Sequence, residues 1–144
     1  FEKLDANLAK AMVSIGAVKG VEIGDGFLAS TAYGSENNDA FYMVNGHIAK
    51  KTNHSGGTLG GMSDGSPLHI RVAIKPTPSI FQSQETVNNQ GEDIQIQIKG
   101  RHDPVVVPRA VVVVESMAAI TIMDALLANM TSRMDRILKF YETL

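Results

Sequence analysis

Three short segments of this 144-residue chain carry residue types suited to chemistry. The first runs from Gly56 to Gly65 (GGTLGGMSDG) and places five glycines in ten residues. Glycine accepts positive φ and lets backbone N–H groups face a ligand. No Gly-Lys-Ser/Thr follows, so it is not a P-loop, and the spacing is not that of a dinucleotide fingerprint. A flexible loop or tight turn would have the same composition. The second segment is Lys75-Pro76-Thr77-Pro78-Ser79, directly after an alternating apolar run. Its prolines fix φ and so hold the Thr77 and Ser79 hydroxyls in set directions, while Lys75 adds a cation. Such a segment suits a planar, anionic ligand; it equally suits a rigid turn leaving a strand. The third is Arg101-His102-Asp103-Pro104. Pairing with Arg101 would keep Asp103 ionised, and an ionised carboxylate beside a ligand can act as a base. The plainer alternative is a structural Arg–Asp pair at a turn.

Other chemistries are disfavoured. The four histidines, His47, His54, His69 and His102, have no metal-ligand spacing, so no metal is expected. His69 falls on the polar phase of a strand, whereas His54 borders the glycine segment. No Ser-His-Asp motif is present. Glu22 and Asp25 could share a turn, although a strand end turning through Asp25-Gly26 explains them as well. No cysteine occurs, which excludes disulfides and thiolate chemistry and fits a reducing compartment. The net charge is −2 with no basic patch, so nucleic acid is a poor partner.

The elements that must position these segments follow from periodicity. Leu4, Leu8, Ala11, Met12 and Ile15 recur at helical spacing and predict an amphipathic helix over 2–14, ended by Gly16. Val18, Val21, Ile23, Phe27 and Leu28 suggest strand, interrupted by Gly20, Gly24 and Gly26 at a bulge or a close backbone approach. Residues 34–65 form a long polar connection of the kind that is usually functional or disordered. Leu68 to Ile74 and Ile94 to Ile98 alternate as strands with one buried face. Pro108 suits the first helical position. Val111 to Leu127 is expected to be a buried helix, because Glu115 and Asp124 interrupt what a membrane span would need. Thr131 to Leu144 carries a second helical pattern, with Met134, Ile137, Leu138 and Tyr141 on one stripe. The fold class expected is α+β with mostly antiparallel pairing.

Taken together, the segments resemble the C-terminal part of the chorismate synthase family. The resemblance runs in order through Leu4 to Phe27, Gly34 to Asp39 (GSENND), Asn53 to Gly65, Arg71 to Ile80, Gly100 to Pro104, Val107 to Val111 and Val114 to Ala119. It covers about residues 1 to 130, and treats 1–144 as part of one domain. It implies a β-α-β sandwich, with antiparallel sheets inside and helices outside, in a cytoplasmic homotetramer. It also implies a lyase of the shikimate pathway, leading to aromatic amino acids. This lyase removes phosphate and a C6 proton from 5-enolpyruvylshikimate 3-phosphate in a 1,4-anti elimination that gives chorismate. Reduced FMN is required without net redox change, and NADPH is a candidate reductant. By matched position, Gly16, Ala17, Gly60, Lys75, Pro76, Thr77, Pro78, Ser79 and Arg101 fall at the flavin. Arg101 also faces substrate, and Asp103 tunes proton removal. Ser55, Gly16, Val105 and Val112 depart from the common pattern and read as tolerated packing changes. The family's N-terminal half, which supplies catalytic histidines and phosphate-binding arginines, has no counterpart here, so the chain alone is expected to bind FMN poorly and to be inactive. The alternatives are a non-catalytic scaffold or oligomerisation module and, more distantly, a nicotinamide oxidoreductase.

Overall fold

A computed structural model describes residues 2–101 and 105–143. The chain opens with helix α1 (Leu4–Val13), where Asp5 in the first turn complements the helix dipole. Its apolar stripe works as the spacing predicts: Leu8 and Met12 are fully buried and, with Val18, form the buried apolar core among the described residues. Gly16 does not end the helix. The last turn closes at Ser14, and the left-handed residue that swings the chain into β1 is Ala17, at φ 68°.

Strand β1 (Val18–Ile23) follows, then a 3₁₀ segment, Gly26–Thr31. Phe27 and Leu28 are therefore not strand. The positive φ of both Gly24 and Gly26 ends β1 before them. The polar stretch 34–65 is less irregular than its composition suggests. It folds as two hairpins, β2 (Phe41–Val44) with β3 (His47–Lys50), and β4 (Thr58–Leu59) with β5 (Met62–Ser63). Each turns through two residues of positive φ, Asn45-Gly46 and Gly60-Gly61, as the twist of tight hairpins requires.

Strand β6 (Ile70–Ile74) returns antiparallel to β1, pairing Ile23 with Ile70 and Val18 with Ile74, and an irregularity between Val18 and Gly20 supplies the bulge. Strand β7 (Gln84–Val87) pairs with β8 (Asp93–Ile96), which covers the start of the expected 94–98 strand. The class is α+β, and among the described residues the strands pair antiparallel as four two-stranded ladders.

Helix α2 (Val107–Met130) starts one residue before Pro108 and is longer than expected, and α3 (Met134–Glu142) follows it. The expectation that α2 is buried fails within this chain: none of its residues is buried, and Val112, Ile120 and Leu127 are more than half exposed. Its length and apolar composition match a membrane-crossing helix. The physical reason for the mismatch is that, among the described residues, α1 is the main element packed against α2. Leu8→Ala should lower the unfolding free energy of the chain by about 3 kcal/mol, the usual cost of emptying a filled core site. Urea denaturation measures it, and a change below about 0.5 kcal/mol, the range of surface substitutions, would place α1 outside the core.

Candidate functional site

Two of the segments singled out in the sequence meet directly. Lys75 leaves the end of β6, and its backbone N–H donates to the Ala17 carbonyl at 2.7 Å. The bond continues the β1–β6 ladder by one step beyond Val18 and Ile74. It fixes the strained turn at Ala17 against the start of the proline segment. A left-handed alanine costs about 1–2 kcal/mol, and strain of this kind collects at functional sites. Gly16, Ala17, Lys75, Pro76 and Pro78 are exposed, while Thr77 and Ser79 are half-buried. Gln84 Nε2 donates to the Pro78 carbonyl at 3.0 Å and ties the proline segment to β7. The junction thus brings a cation, two hydroxyls and a constrained backbone into one short stretch.

Gly60 is not part of that junction. It sits at the tip of the β4–β5 hairpin, and its neighbour Gly61 accepts a hydrogen bond from Leu4 N at 2.8 Å. The glycine tip therefore touches the opening of α1, whereas Ala17 lies beyond its end, with about 14 Å of helix between. A Cβ at Gly61 would strike the Lys3 side chain, whereas one at Gly60 would enter open space. Gly60 is the residue of this pair with room beside it for a ligand. Arg101 is exposed between β8 and α2. Asp103, with His102 and Pro104, lies outside the described residues.

The base of the glycine loop is held from two directions. On one side it packs on the end of β1. A Cβ at Gly24 would collide with the His54 carbonyl, and one at Gly56 with the backbone of Gly24, so neither position accepts a side chain. Asp25 N donates to His54 O at 2.8 Å, and His69 N to Gly56 O at 3.1 Å. The Glu22/Asp25 pair is not a shared carboxylate site. Glu22 binds Arg71 at 3.0 Å and the Phe27 N–H at 2.9 Å. Asp25 Oδ2 meets His54 Nδ1 at 2.7 Å and the Asn37 amide at 3.0 Å.

On the other side lies a cluster that no motif pointed to. The Lys50 side chain, 5% exposed, donates to Asp64 at 2.7 Å, Asp39 at 3.2 Å, Asn53 Oδ1 at 3.2 Å and Ser55 Oγ at 2.9 Å. Asp39 also accepts the N–H groups of His54 and Ser55 and the Thr52 hydroxyl. Burial pushes the Asp39 carboxyl up, but the Ser55 backbone and hydroxyl, the His54 N–H and the Thr52 hydroxyl outweigh it and hold it well below the usual carboxylate range. Asp64 is lowered by Lys50 and by the Ser66 N–H. Burial works against the Lys50 charge, yet its two carboxylates raise it overall. Ser55 is therefore more than a tolerated packing change. A sequence signal did exist: Asp39, Asn53 and Asp64 fall inside segments matched to the family, but Lys50 falls in none.

Comparison with known proteins agrees with these segments. The chorismate synthase family model matches residues 1–127. The chain belongs to the chorismate synthase family. Among curated relatives, it is 72% identical over its full length to the chorismate synthase of Agathobacter rectalis, of which it covers 39%. It is 52% identical over 130 residues to that of Methanococcus vannielii, covering 90% of this chain and 34% of the relative. A solved structure described as the crystal structure of chorismate synthase matches 98% of the chain and 35% of its own length, with 36% identity and a TM-score of 0.69. The fold is thus that of chorismate synthases, and the chain spans between about a third and two-fifths of the length of these relatives.

The charged cluster sets a pH dependence. Both aspartates are depressed from an ordinary value of 3.8, so their stabilisation is complete above about pH 4 and is lost as pH falls through their folded-state values. Lys50 is raised from 10.5, so its share is complete below that pH and lost above its folded-state value. Asp39→Asn should lower stability at neutral pH and flatten its decline between about pH 5 and 2. Urea unfolding at several pH values measures both, and parallel curves for the variant and the original chain would contradict the assignment.

Proposed function

We propose that this chain is the part of a chorismate synthase that forms one wall of the flavin site. The observation that supports the reading is the Lys75 N–H bond to Ala17, because it joins the backbones of two segments that the resemblance assigns to flavin. The donor set fits the group: a cation, two half-buried hydroxyls and open glycine backbone suit an electron-rich ring system with a phosphate tail. Reduced FMN, when bound, supplies electron density for the breaking carbon–oxygen bond and a basic site for the C6 proton. Lys75 would face the flavin with its ammonium. Thr77 and Ser79 would donate from a segment stiffened by Pro76 and Pro78. Gly16, Ala17 and Gly60 would meet it through backbone, and Arg101 would reach both flavin and substrate. Asp103 would hold an ionised carboxylate near the C6 proton and tune its removal.

The substrate on this reading is 5-enolpyruvylshikimate 3-phosphate, converted to chorismate by 1,4-anti loss of phosphate in the shikimate pathway. The rest of the active site would come from the larger part of the relatives' length that this chain does not span. The same missing portion, or a second subunit of a homotetramer, would cover α2. That cover is favoured over a membrane by Arg109, Glu115 and Asp124 along the helix and by its packing on α1. A cytoplasmic location and NADPH as a flavin reductant belong to the same reading. Residues 1–144 would be one portion of a single domain.

A chimera tests this. The 144 residues replace the matching segment of the Agathobacter rectalis relative, and the product is assayed with reduced FMN and substrate for phosphate release. Turnover near that of the relative is expected. A folded chimera with no turnover would favour a non-catalytic scaffold. In the chimera, Lys75→Ala should weaken FMN binding about tenfold, the cost of one charge-assisted contact. Asp103→Asn should lower kcat about 100-fold and leave FMN affinity near normal. The isolated chain should bind FMN far more weakly than the chimera; equal affinity in a fluorescence titration would overturn the idea that the site is shared.

A further inference from the structure

Lys50 lies outside every segment assigned to flavin or substrate, yet its contacts converge on the loop that carries Gly60. Lys50 has three N–H groups and four acceptors within 3.2 Å, from Asp39, Asn53, Ser55 and Asp64. Its donors are saturated, so it has none left for an anion or cofactor. What it can do is position. Asp39 precedes β2 and holds the N–H groups of His54 and Ser55. Asn53 receives the Gly57 N–H at 2.8 Å and donates to the Pro67 carbonyl at 2.8 Å. Asp64, just after β5, receives the Ser66 N–H at 2.9 Å. The loop enters the hairpin at one of these anchors and leaves it at another, and a single ammonium connects them.

We infer that Lys50, clamped between Asp39 and Asp64, is a positioning residue that sets the β4–β5 hairpin so that Gly60 faces the flavin. The inference rests on the flavin reading above. The hairpin has two residues per strand and could not hold its own direction in water. Its tip touches α1 through one backbone bond at Gly61, and its two ends converge on Lys50. The ammonium is nearly enclosed, and both carboxylates are at most 10% exposed. Removing the cation leaves two poorly solvated negative charges facing each other, and they must separate. Separation opens the two legs of the loop and moves Gly60 relative to the Ala17–Lys75 junction. A displacement of about 1 Å is enough to degrade a preorganised site.

The test uses the full-length chimera with Lys50→Met and two milder variants, Asp64→Asn and Ser55→Ala. FMN dissociation constants are measured by flavin fluorescence well below each variant's melting temperature, with circular dichroism to verify folding. Amide hydrogen exchange is followed over residues 56–61, and kcat is measured at saturating FMN. Lys50→Met should weaken FMN binding about tenfold, with kcat at saturation within about threefold. Exchange should rise in the loop and stay unchanged at β1 and β6. Asp64→Asn should weaken FMN binding about threefold and decides the matter where Lys50→Met does not fold. A cluster that serves stability alone would lower the melting temperature of folded variants and leave their FMN affinity within twofold of the parent; that result overturns the inference. Weaker FMN binding without faster loop exchange would overturn the positioning route. A parent chimera that fails to bind FMN would bring down the flavin reading itself, and the exchange data would then show separately whether Lys50 fixes the loop.

Discussion

Two backbones pressed together without side chains between them set the architecture of the site. Gly24, at the end of β1, and Gly56, at the base of the glycine loop, each occupy space that a Cβ on the other would need. Their contact makes the His54–Asp25 and Gly56–His69 bonds possible and so joins the β1–β6 ladder to the loop. Both residues have positive φ, which a non-glycine residue would adopt only with strain. The β1–β6 ladder and the glycine loop meet at this joint. The ladder ends in the Ala17–Lys75 junction, and the loop ends in Gly60.

Charge reinforces what close approach begins. The Lys50 cluster is not a surface ion pair of small consequence, because its side chain is nearly enclosed and its partners are themselves hydrogen-bonded. Among buried side-chain polar atoms of the described residues, none lacks a partner. That completeness separates a rigid polar network from a liability. The loop is therefore an ordered element, even though its composition is that of a linker.

Legibility in the sequence followed the reach of each signal. Local periodicity placed α1, β6, β8 and α2, since each is decided by neighbours a few residues away. The glycines of β1 suggested a bulge or a close approach; the structure has both, and nothing in the sequence named Gly56 as the partner. Hairpins β2–β3 and β4–β5 were hidden because short strands with exposed faces lack alternation. Lys50 was hidden because its importance comes from residues on both sides of it in the chain, converging only after the hairpins close. Family resemblance supplied what periodicity could not, namely the expectation that groups at 16–17, 60, 75–79 and 101 serve one site. Burial of α2 was misjudged for a plain reason: apolar composition reports that a helix will be covered, not by what.

Helix α2 also bears on how such a polypeptide comes into being. It offers a rod of 24 mostly apolar residues, with Val112, Ile120, Met123 and Leu127 more than half bare, and among the described residues it leans mainly on α1. During synthesis, any interval in which that rod emerges before its cover exists is an opportunity for aggregation. Folding order, and the attention of chaperones, would then govern how much of the polypeptide reaches its folded state.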